Sequence, residues 1–574
     1  MTQRGATECA KPGALALLLS SVLTLSIFPA SFAQEQSGDV LRQLERKEIT
    51  PEKKPPEPVL VEKEKEPPAK VEEGERIFVK QFNVQGATLI DAETLTARVA
   101  PFENRELTLQ EIKLAAEMIT NEYRRQGYLI VYAFIPPQEI REGIVRISIV
   151  EGRLGDIVVS GNTRYSSSFI QRHLERPRQE PSPTVQTIKR ALLILNEYPS
   201  LAAKASLKAG KQPGTADMTV EVTDSWPISG GITYDNFGSR TVSKNRIGAW
   251  LHAGSLIAEG DLLMLRGVTG LDRIDLERLA YGKVEYAIPL TFNGTKLGAH
   301  LGNDIYEAAG SLTPLGLEGE SVVAGVYVSH PIRKDATGTL EARFGFDYKD
   351  LSDYMLDSLN SRDKLRVFDL GATYRFFDRF QGSNFIGLSL YQGVRNLFGG
   401  TGKDDPGTSR PNADGAFTKC TADVVRVQKL PGYTHLRLRA SGQVSWDRLF
   451  TVEQFGIGGM GTVRGFTPFL FSGDSGYALS AELQVSPIAP ETRIFNWKLG
   501  DMLRFAFFAD HGGVYRNDAQ PGENTNDFLT SIGAGIRLYL GERFSLLLDW
   551  AVPNIGGTFK TGDSVTYVQA MVSF

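Results

Sequence analysis

"LRLRASGQVSW", Leu436 to Trp446, alternates along its length. Leu436, Leu438, Ala440, Val444 and Trp446 fall on one side, and Arg437, Arg439, Ser441, Gln443 and Ser445 on the other. A period of two is the period of a β-strand, whose successive side chains point to opposite faces. A half-buried strand of a soluble sandwich alternates in this way too. Strands of about ten residues, aromatic at their ends and charged on one face, fit a transmembrane barrel better, with the apolar face toward lipid and the polar face inward. "RFSLLLDW", Arg543 to Trp550, repeats the pattern, with Phe544, Leu546, Leu548 and Trp550 opposing Ser545 and Asp549. Roughly sixteen such segments follow Trp226, separated by turn residues and with no credible helix between them. The chain closes on "TYVQAMVSF", an alternating strand that ends in Phe574. The reading is a mainly β protein with a C-terminal transmembrane barrel over 226–574.

The N-terminus agrees with export. Arg4 and Lys11 precede the apolar run "ALALLLSSVLTLSIF", and "PASFA" follows with Ser31 and Ala33 at the small-residue positions. That is the pattern of a secretory signal peptide over 1–33. The run falls short of the ~20 residues a spanning helix needs, and nothing beyond residue 33 approaches that length. A membrane location therefore requires a barrel, because only helices and closed barrels satisfy every backbone polar group in lipid. Of the two cysteines, Cys9 lies in the leader, leaving Cys420 alone and excluding an intrachain disulfide framework or a cysteine metal site. The formal net charge of -4 is near neutral for 574 residues and gives no reason to expect nucleic acid.

Between leader and barrel the texture changes twice. In "DVLRQLERKE" a short amphipathic helix would put Val40, Leu41 and Leu44 on one side. From Leu41 to Arg76 there are ten acidic residues, nine basic residues and six prolines, a composition too poor in apolar surface to fold, so 34–76 reads as a helix and an extended linker. Next, "FNVQGATLI" at 82–90 and "IVVSGNTRY" at 157–165 share V-x-G-x-T, with the valines 75 residues apart. In each copy a strand is followed by helical patterns and two further strands. The second helix of the first copy opens on a capping box, Thr108 to Glu111. Leu109, Ile112, Ala115, Ile119 and Tyr123 then share one face, and Gly127 supplies a stop. Two β-α-α-β-β modules, over 77–152 and 153–225, are expected.

Several stretches resemble catalytic motifs. "EQFGIGGMGTVRGFTPF", Glu453 to Phe469, contains G-x-G-x-x-G at Gly456, Gly458 and Gly461. A dinucleotide loop must follow a strand and open a helix inside a βαβ unit; here glycine and proline in "TVRGFTPF" forbid the helix. "GGTGKDD" at 399–405 has Leu397 at the first P-loop glycine and Asp404 where the Ser/Thr belongs. "GDSG" at 473–476 lacks a partner triad, and six scattered histidines form no metal motif. No catalytic, cofactor-binding or metal-ligating residue is assigned, and no enzyme is expected. The glycines of 453–469 serve a tight loop, folded in over about 451–475, with a flexible external loop as the alternative.

Taken together, leader, short helix, linker, paired modules and barrel resemble the outer-membrane transporters of two-partner secretion, the haemolysin and haemagglutinin secretion/activation proteins of the outer-membrane-protein-85 superfamily. The local match is "VRGF", Val463, Arg464, Gly465 and Phe466, at the tip of the loop between the eleventh and twelfth strands, with Phe508 and Asp510 of "RFAFFADHGGVY" as the F-x-D motif of strand thirteen. The resemblance implies a sixteen-stranded barrel in the outer membrane of a Gram-negative bacterium, behind two periplasmic polypeptide-transport-associated (POTRA) modules that receive an unfolded exoprotein client. It also implies that Arg464 meets Asp510 on the inner wall and that the segment of Val40, Leu41 and Leu44 plugs the resting pore. Outer-membrane lipid and the outer-membrane assembly machinery, which would read the last strand ending in Phe574, are the other implied partners. Alternation independently sets Leu503, Phe505 and Phe507 toward lipid and Arg504, Phe508 and Asp510 inward. An alternative activity in the superfamily is assembly of other barrels, against which the presence of only two modules argues.

Overall fold

The computed structural model describes residues 37–45, 60–62, 76–272, 279–487, 489–494, 497–520, 522–555, 558–559 and 563–574. The leader at 1–33 and most of the linker lie outside them. From residue 228 onward, 16 antiparallel strands close into a barrel, from the first (Ile228–Asp235) to the sixteenth (Val565–Ser573). Closure joins the first strand to the last, from Gly231↔Ser573 to Asp235↔Gln569, with Phe574 and Gly230 exchanging backbone hydrogen bonds at 2.9 and 3.2 Å.

The alternation of the sequence is the alternation of the wall. On the eleventh strand (Thr434–Ser445) Leu438 and Val444 are exposed on the outer surface, while Ser441, Gln443 and Ser445 are buried inside. On the thirteenth (Leu503–Tyr515) Phe505 and Phe507 face out, and Phe508 and Asp510 are buried. Facing lipid costs these apolar side chains nothing, whereas the charges must be satisfied inside. Among the described residues one connection carries an α-helix, against the helix-free reading. Between the twelfth strand (Ser475–Val485) and the thirteenth, a two-residue-per-arm hairpin and a one-turn helix, Leu499–Met502, stand on the periplasmic side.

Upstream, the chain runs as α1 (Ser37–Glu45), a short linker strand β1 (Leu60–Glu62), and then the modules. The first module contains β2 (Arg76–Val79), β3 (Gln81–Gln85), α2 (Ala92–Val99), β4 (Arg105–Thr108), α3 (Leu109–Arg125), β5 (Val131–Phe134) and β6 (Ile144–Glu151). Its sheet runs β3-β6-β5, and β2 pairs separately with β4, one strand pair more than the expected pattern. The Thr108–Glu111 capping box is formed in both directions. Ile112, Ala115, Ile119 and Tyr123 of α3 are buried in the core, but Leu109 is 53% exposed because the first helical residue points away from the sheet.

The second module has β7 (Arg153–Ser160), α4 (Ser167–His173), α5 (Glu175–Gln179), α6 (Val185–Leu195), β8 (Leu201–Ala209) and β9 (Thr215–Asp224). Its sheet runs β1-β8-β9-β7, so three linker residues are built into it, in parallel register from Leu60↔Ala205 to Glu62↔Leu207. The extended-linker reading missed this strand. Its "PVLVE" is the one apolar, β-forming cluster in a segment otherwise of charges and prolines.

The V-x-G-x-T repeat has a common physical cause. Gly86 and Gly161 both adopt left-handed backbone (φ 91° and 83°), and a Cβ there would stand 2.5 Å from the Ile149 carbonyl oxygen and 2.4 Å from that of Val222. Only glycine permits both the turn and that approach. The threonine two residues on meets a carboxylate at the end of the module's last strand. Glu151 accepts from the backbone N–H of Thr88 and Leu89 (2.8 and 2.9 Å), and Asp224 from those of Thr163, Arg164 and Tyr165 (2.8–3.0 Å).

Candidate functional site: the in-folded loop and the lumen

The segment between the eleventh and twelfth strands turns back into the barrel. Its arms pair as a short hairpin, Phe455–Ile457 against Phe471–Gly473. The glycines of the G-x-G-x-x-G stretch pack the loop on itself. A Cβ on Gly458 would lie 2.3 Å from the Thr467 carbonyl oxygen, and one on Gly456 would enter the Phe469 ring at 1.9 Å. Thr462 Oγ1 accepts from Gly458 N–H (2.9 Å) and donates to Gly458 O (2.8 Å), closing the tip on itself.

This compact turn holds the VRGF residues against the inner wall. Val463 is fully buried with Ile457, Val514 and Leu529, and Phe466 packs partly on the same cluster. Gly465 N–H donates to the Tyr567 hydroxyl (3.0 Å), which donates to Phe466 O (3.1 Å). Arg464, 5% exposed, spreads into an ionic nest. Its Nε and Nη2 donate to the two oxygens of Asp510 at 2.7 and 2.8 Å. Nη1 donates to Glu482 at 2.9 Å and to Asp549 at 3.0 Å, and the guanidinium lies 3.3 Å over the Phe508 ring. Phe508 and Asp510 are thus both direct contacts of Arg464.

Three further members escaped the sequence reading: Glu482, Arg537 and Asp549. Arg537 of the fourteenth strand (Asn526–Leu540) donates to Glu482 at 2.9 Å and to Asp549 at 2.5 Å. The nest therefore holds two guanidinium and three carboxylate groups, all buried. A lone buried charge is costly, and breaking a buried pair from one side typically costs ~3–5 kcal/mol; here Arg537 offsets part of the excess negative charge around Arg464. Parity alone marks Glu482 and Asp549 as inward, since their strand neighbours Leu483 and Leu548 face out. Which inward charges stand level is decided by register across four strands, and a single sequence does not contain that.

The segment of Val40, Leu41 and Leu44 is inside the barrel. Those three side chains are buried in one cluster with Leu365, Phe417, Leu449 and Phe450. Polar contacts fix the helix at both ends: Ser37 N–H donates to Asp353 (2.7 Å), Arg246 donates to Gln43 (3.1 Å), and Lys283 pairs with Glu45 (3.2 Å). Helix, loop and the wall of the first and last strands leave a cavity of about 660 Å³, with Gln43, Leu44, Arg464 and Phe469 on its lining. Among the described residues no His/Cys/Asp/Glu group has the arrangement of a metal site.

Comparison with known proteins bears on this arrangement. Residues 214–538 match the family of haemolysin secretion/activation proteins ShlB/FhaC/HecB, and residues 77–152 match the ShlB-type POTRA domain. The heme/hemopexin transporter protein HuxB of Haemophilus influenzae is 24% identical over 554 residues, 94% of each chain. The outer membrane transporter CdiB of Escherichia coli O6:K15:H31 is 24% identical over 424 residues, 72% of this chain and 70% of that one. Among solved structures, CdiB from Escherichia coli superposes with a TM-score of 0.70 at 18% identity, over 99% of this chain and 100% of that one. A BamA from Haemophilus ducreyi lacking its first three POTRA domains reaches 0.50 at 15% identity, over 87% and 100%.

Proposed function

Since the chain belongs to the ShlB/FhaC/HecB family of haemolysin secretion/activation proteins, we propose that it carries one large exoprotein, unfolded in the periplasm, through its barrel to the cell surface. The barrel lies in the outer membrane with its modules on the periplasmic side, and a secreted partner protein is the cargo of the family. A haemolysin- or adhesin-like client is our finer reading. The observation that carries it is a closed barrel whose lumen is occupied twice by its own chain, by α1 and by a loop held on Arg464 through buried charges. Obstacles of that kind suit a pore that opens for one cargo.

In this reading the client adds as a strand to a module edge, a mode in which backbone hydrogen bonds supply affinity and ask little of sequence. β5 is an edge of its sheet, with Tyr132 and Phe134 exposed, and is the favoured site. Val40, Leu41 and Leu44 hold the plug until the client arrives. Arg464, with Val463, Gly465 and Phe466, holds the loop to Phe508 and Asp510. Membrane insertion of the barrel itself passes through the assembly machinery by way of the strand ending in Phe574. The periplasm offers no nucleotide supply, so folding of the client outside supplies the direction.

Barrel assembly is the second reading, and the BamA likeness is what speaks for it. The experiment that separates the two deletes the protein in its native host and compares the medium, the cell surface and the outer membrane. Loss of one large exported protein, with other barrels unchanged, is expected; a general fall in barrels overturns the reading in favour of assembly. Complementation with Arg464→Ala is expected to restore the folded barrel but at most about a tenth of secretion per barrel, a loss of ~1.4 kcal/mol or more in effective terms.

A further inference from the structure

One side chain joins the plug helix to the in-folded loop. Arg42, on the turn of α1 between Leu41 and Leu44, reaches both arms of the loop hairpin. Its Nη1 donates to the carbonyl of Gln454, the residue that enters the first arm. Its Nη2 donates to Ser472 Oγ, in the returning arm, at 3.4 Å. The guanidinium also lies 4.7 Å over the ring of Phe469, just before that arm. Asp39, one turn earlier on the helix, pairs with the same guanidinium and aims it. Gly456 and Ser472 are direct partners in the hairpin, so Arg42 spans the two arms where they are cross-linked by backbone.

A second observation points the same way. Gly38 of α1 rests directly on the loop: a Cβ there would stand 2.7 Å from the backbone N of Val452 and 2.8 Å from its Cα. The helix and the loop base are therefore in backbone contact at one level and joined by Arg42 one turn deeper. The wall holds the same base through Lys349 and Lys419 on Glu453 at 2.8 and 2.6 Å. Residues 452–454 are therefore held by both the wall and the plug.

We propose that Arg42 is a latch, a positioning residue through which the seated helix holds both arms of the loop hairpin, so that the loop lifts from the wall only after the helix withdraws. The inference rests on the plug reading above and adds an order of events to it. Withdrawal of α1 removes the contacts at Gln454, Ser472 and Phe469 together, while Glu453 stays anchored to the wall. The loop is then held at its foot by Glu453 and at its tip by Arg464, without the tie across its two arms. Arrival of the client is thereby converted into a change at the VRGF loop without the client touching it.

The test uses the full chain in membranes, with Cys420→Ser to remove the background cysteine and Ile457→Cys as a reporter, because Ile457, in the first arm of the hairpin, is fully buried against Val514 and Leu529. Maleimide labelling of position 457 reads loop lifting, and single-channel conductance reads the plug. Deleting residues 37–45 is expected to raise both, with labelling at least about tenfold faster. Arg42→Ala is expected to speed labelling to a comparable degree, and Arg42→Lys, which keeps the charge but cannot span both arms, to fall between. If the deletion raises conductance while labelling stays at the parent rate in it and in Arg42→Ala, the latch is overturned and the plug stands. If the deletion leaves conductance unchanged, the plug reading fails and takes the latch with it.

Discussion

The two periplasmic modules share a lock and differ at the edges and ends that surround it. In both, a left-handed glycine lies under a carbonyl and a terminal carboxylate gathers the turn that follows. Burial alone would raise the Asp224 carboxyl; hydrogen bonds from Thr163, Tyr165 and Arg164 outweigh it and hold it near 2. Glu151 is lowered against the same opposition by Thr88, Tyr123 and Leu89. The first module then leaves β5 as an open edge with aromatic side chains beside it. The second has its β8 edge covered by the linker and its helical end set on the barrel. Ser166 N–H meets Glu259 (2.5 Å), Arg190 reaches Pro331 O, and Glu197 pairs with Lys296 (3.3 Å) and Lys334. One scaffold thus serves two mechanical duties, and the duty is set by edges and ends, the core being common to both.

That equivalence of the locks is broken most directly by adding a methyl group to each. Gly86→Ala and Gly161→Ala should each destabilise their module by ~3 kcal/mol, from a Cβ in left-handed backbone that meets a carbonyl oxygen. Hydrogen exchange of the two modules in the full-length protein would read both losses; a cost at one site less than half that at the other would show that the locks are not the same device.

A pH titration sharpens the contrast. The second module buries His173 between Tyr198, whose hydroxyl is 2.9 Å from Nε2, and Phe292 of a barrel turn, with ring centroids 5.1 Å apart. Burial lowers its pKa to about 4, against the opposing hydrogen bond to Phe169 O. A folded-state pKa below the unfolded value means the unfolded chain binds more protons between the two. Stability from this group is therefore complete above the unfolded pKa and declines as pH falls toward 4. Between pH 7.5 and 5.5 the expected loss is ~1.4 kcal/mol. The first module contains no histidine and should show no such slope over this range, and His173→Gln should flatten it in the second. A slope of equal size in both modules would assign it elsewhere.

The smallest effect belongs to the dock. Glu197→Ala removes two partly exposed ion pairs and should cost under ~1 kcal/mol. Its mark would be a broadened distance distribution between spin labels on the second module and the barrel, with the first-to-second module distance unchanged. An unchanged distribution would leave the joint to Ser166, Arg190 and the packing of Phe169, Arg172 and His173 on Phe292.

Much of this was legible from residue patterns. Alternation sufficed for the barrel because lipid and lumen impose opposite demands on neighbouring residues, and V-x-G-x-T sufficed for the modules because its glycine has no substitute. The inward position of Asp510 followed from parity with Phe507. Parity is silent on height, so Glu482, Asp549 and Arg537 could not be gathered around Arg464 without strand register. Leu109 was placed in the core because periodicity alone cannot tell the first helical residue from the second. The linker strand Leu60–Glu62 was hidden by the charges and prolines around it, though its own residues are β-formers.

Barrel closure also dictates a timetable. The bond from Asn236 to the Thr566 carbonyl spans 330 residues of chain, and the pairs beside it are as distant. Contacts of such high order form late, after local hairpins have accumulated along the wall. Until the strand Val565–Ser573 is in place, the strand Ile228–Asp235 keeps one side of its backbone unpaired, and such an edge invites wrong partners. The finished pore has no edge at all; its precursor has two, and only the last nine-residue strand, Val565–Ser573, removes both at once.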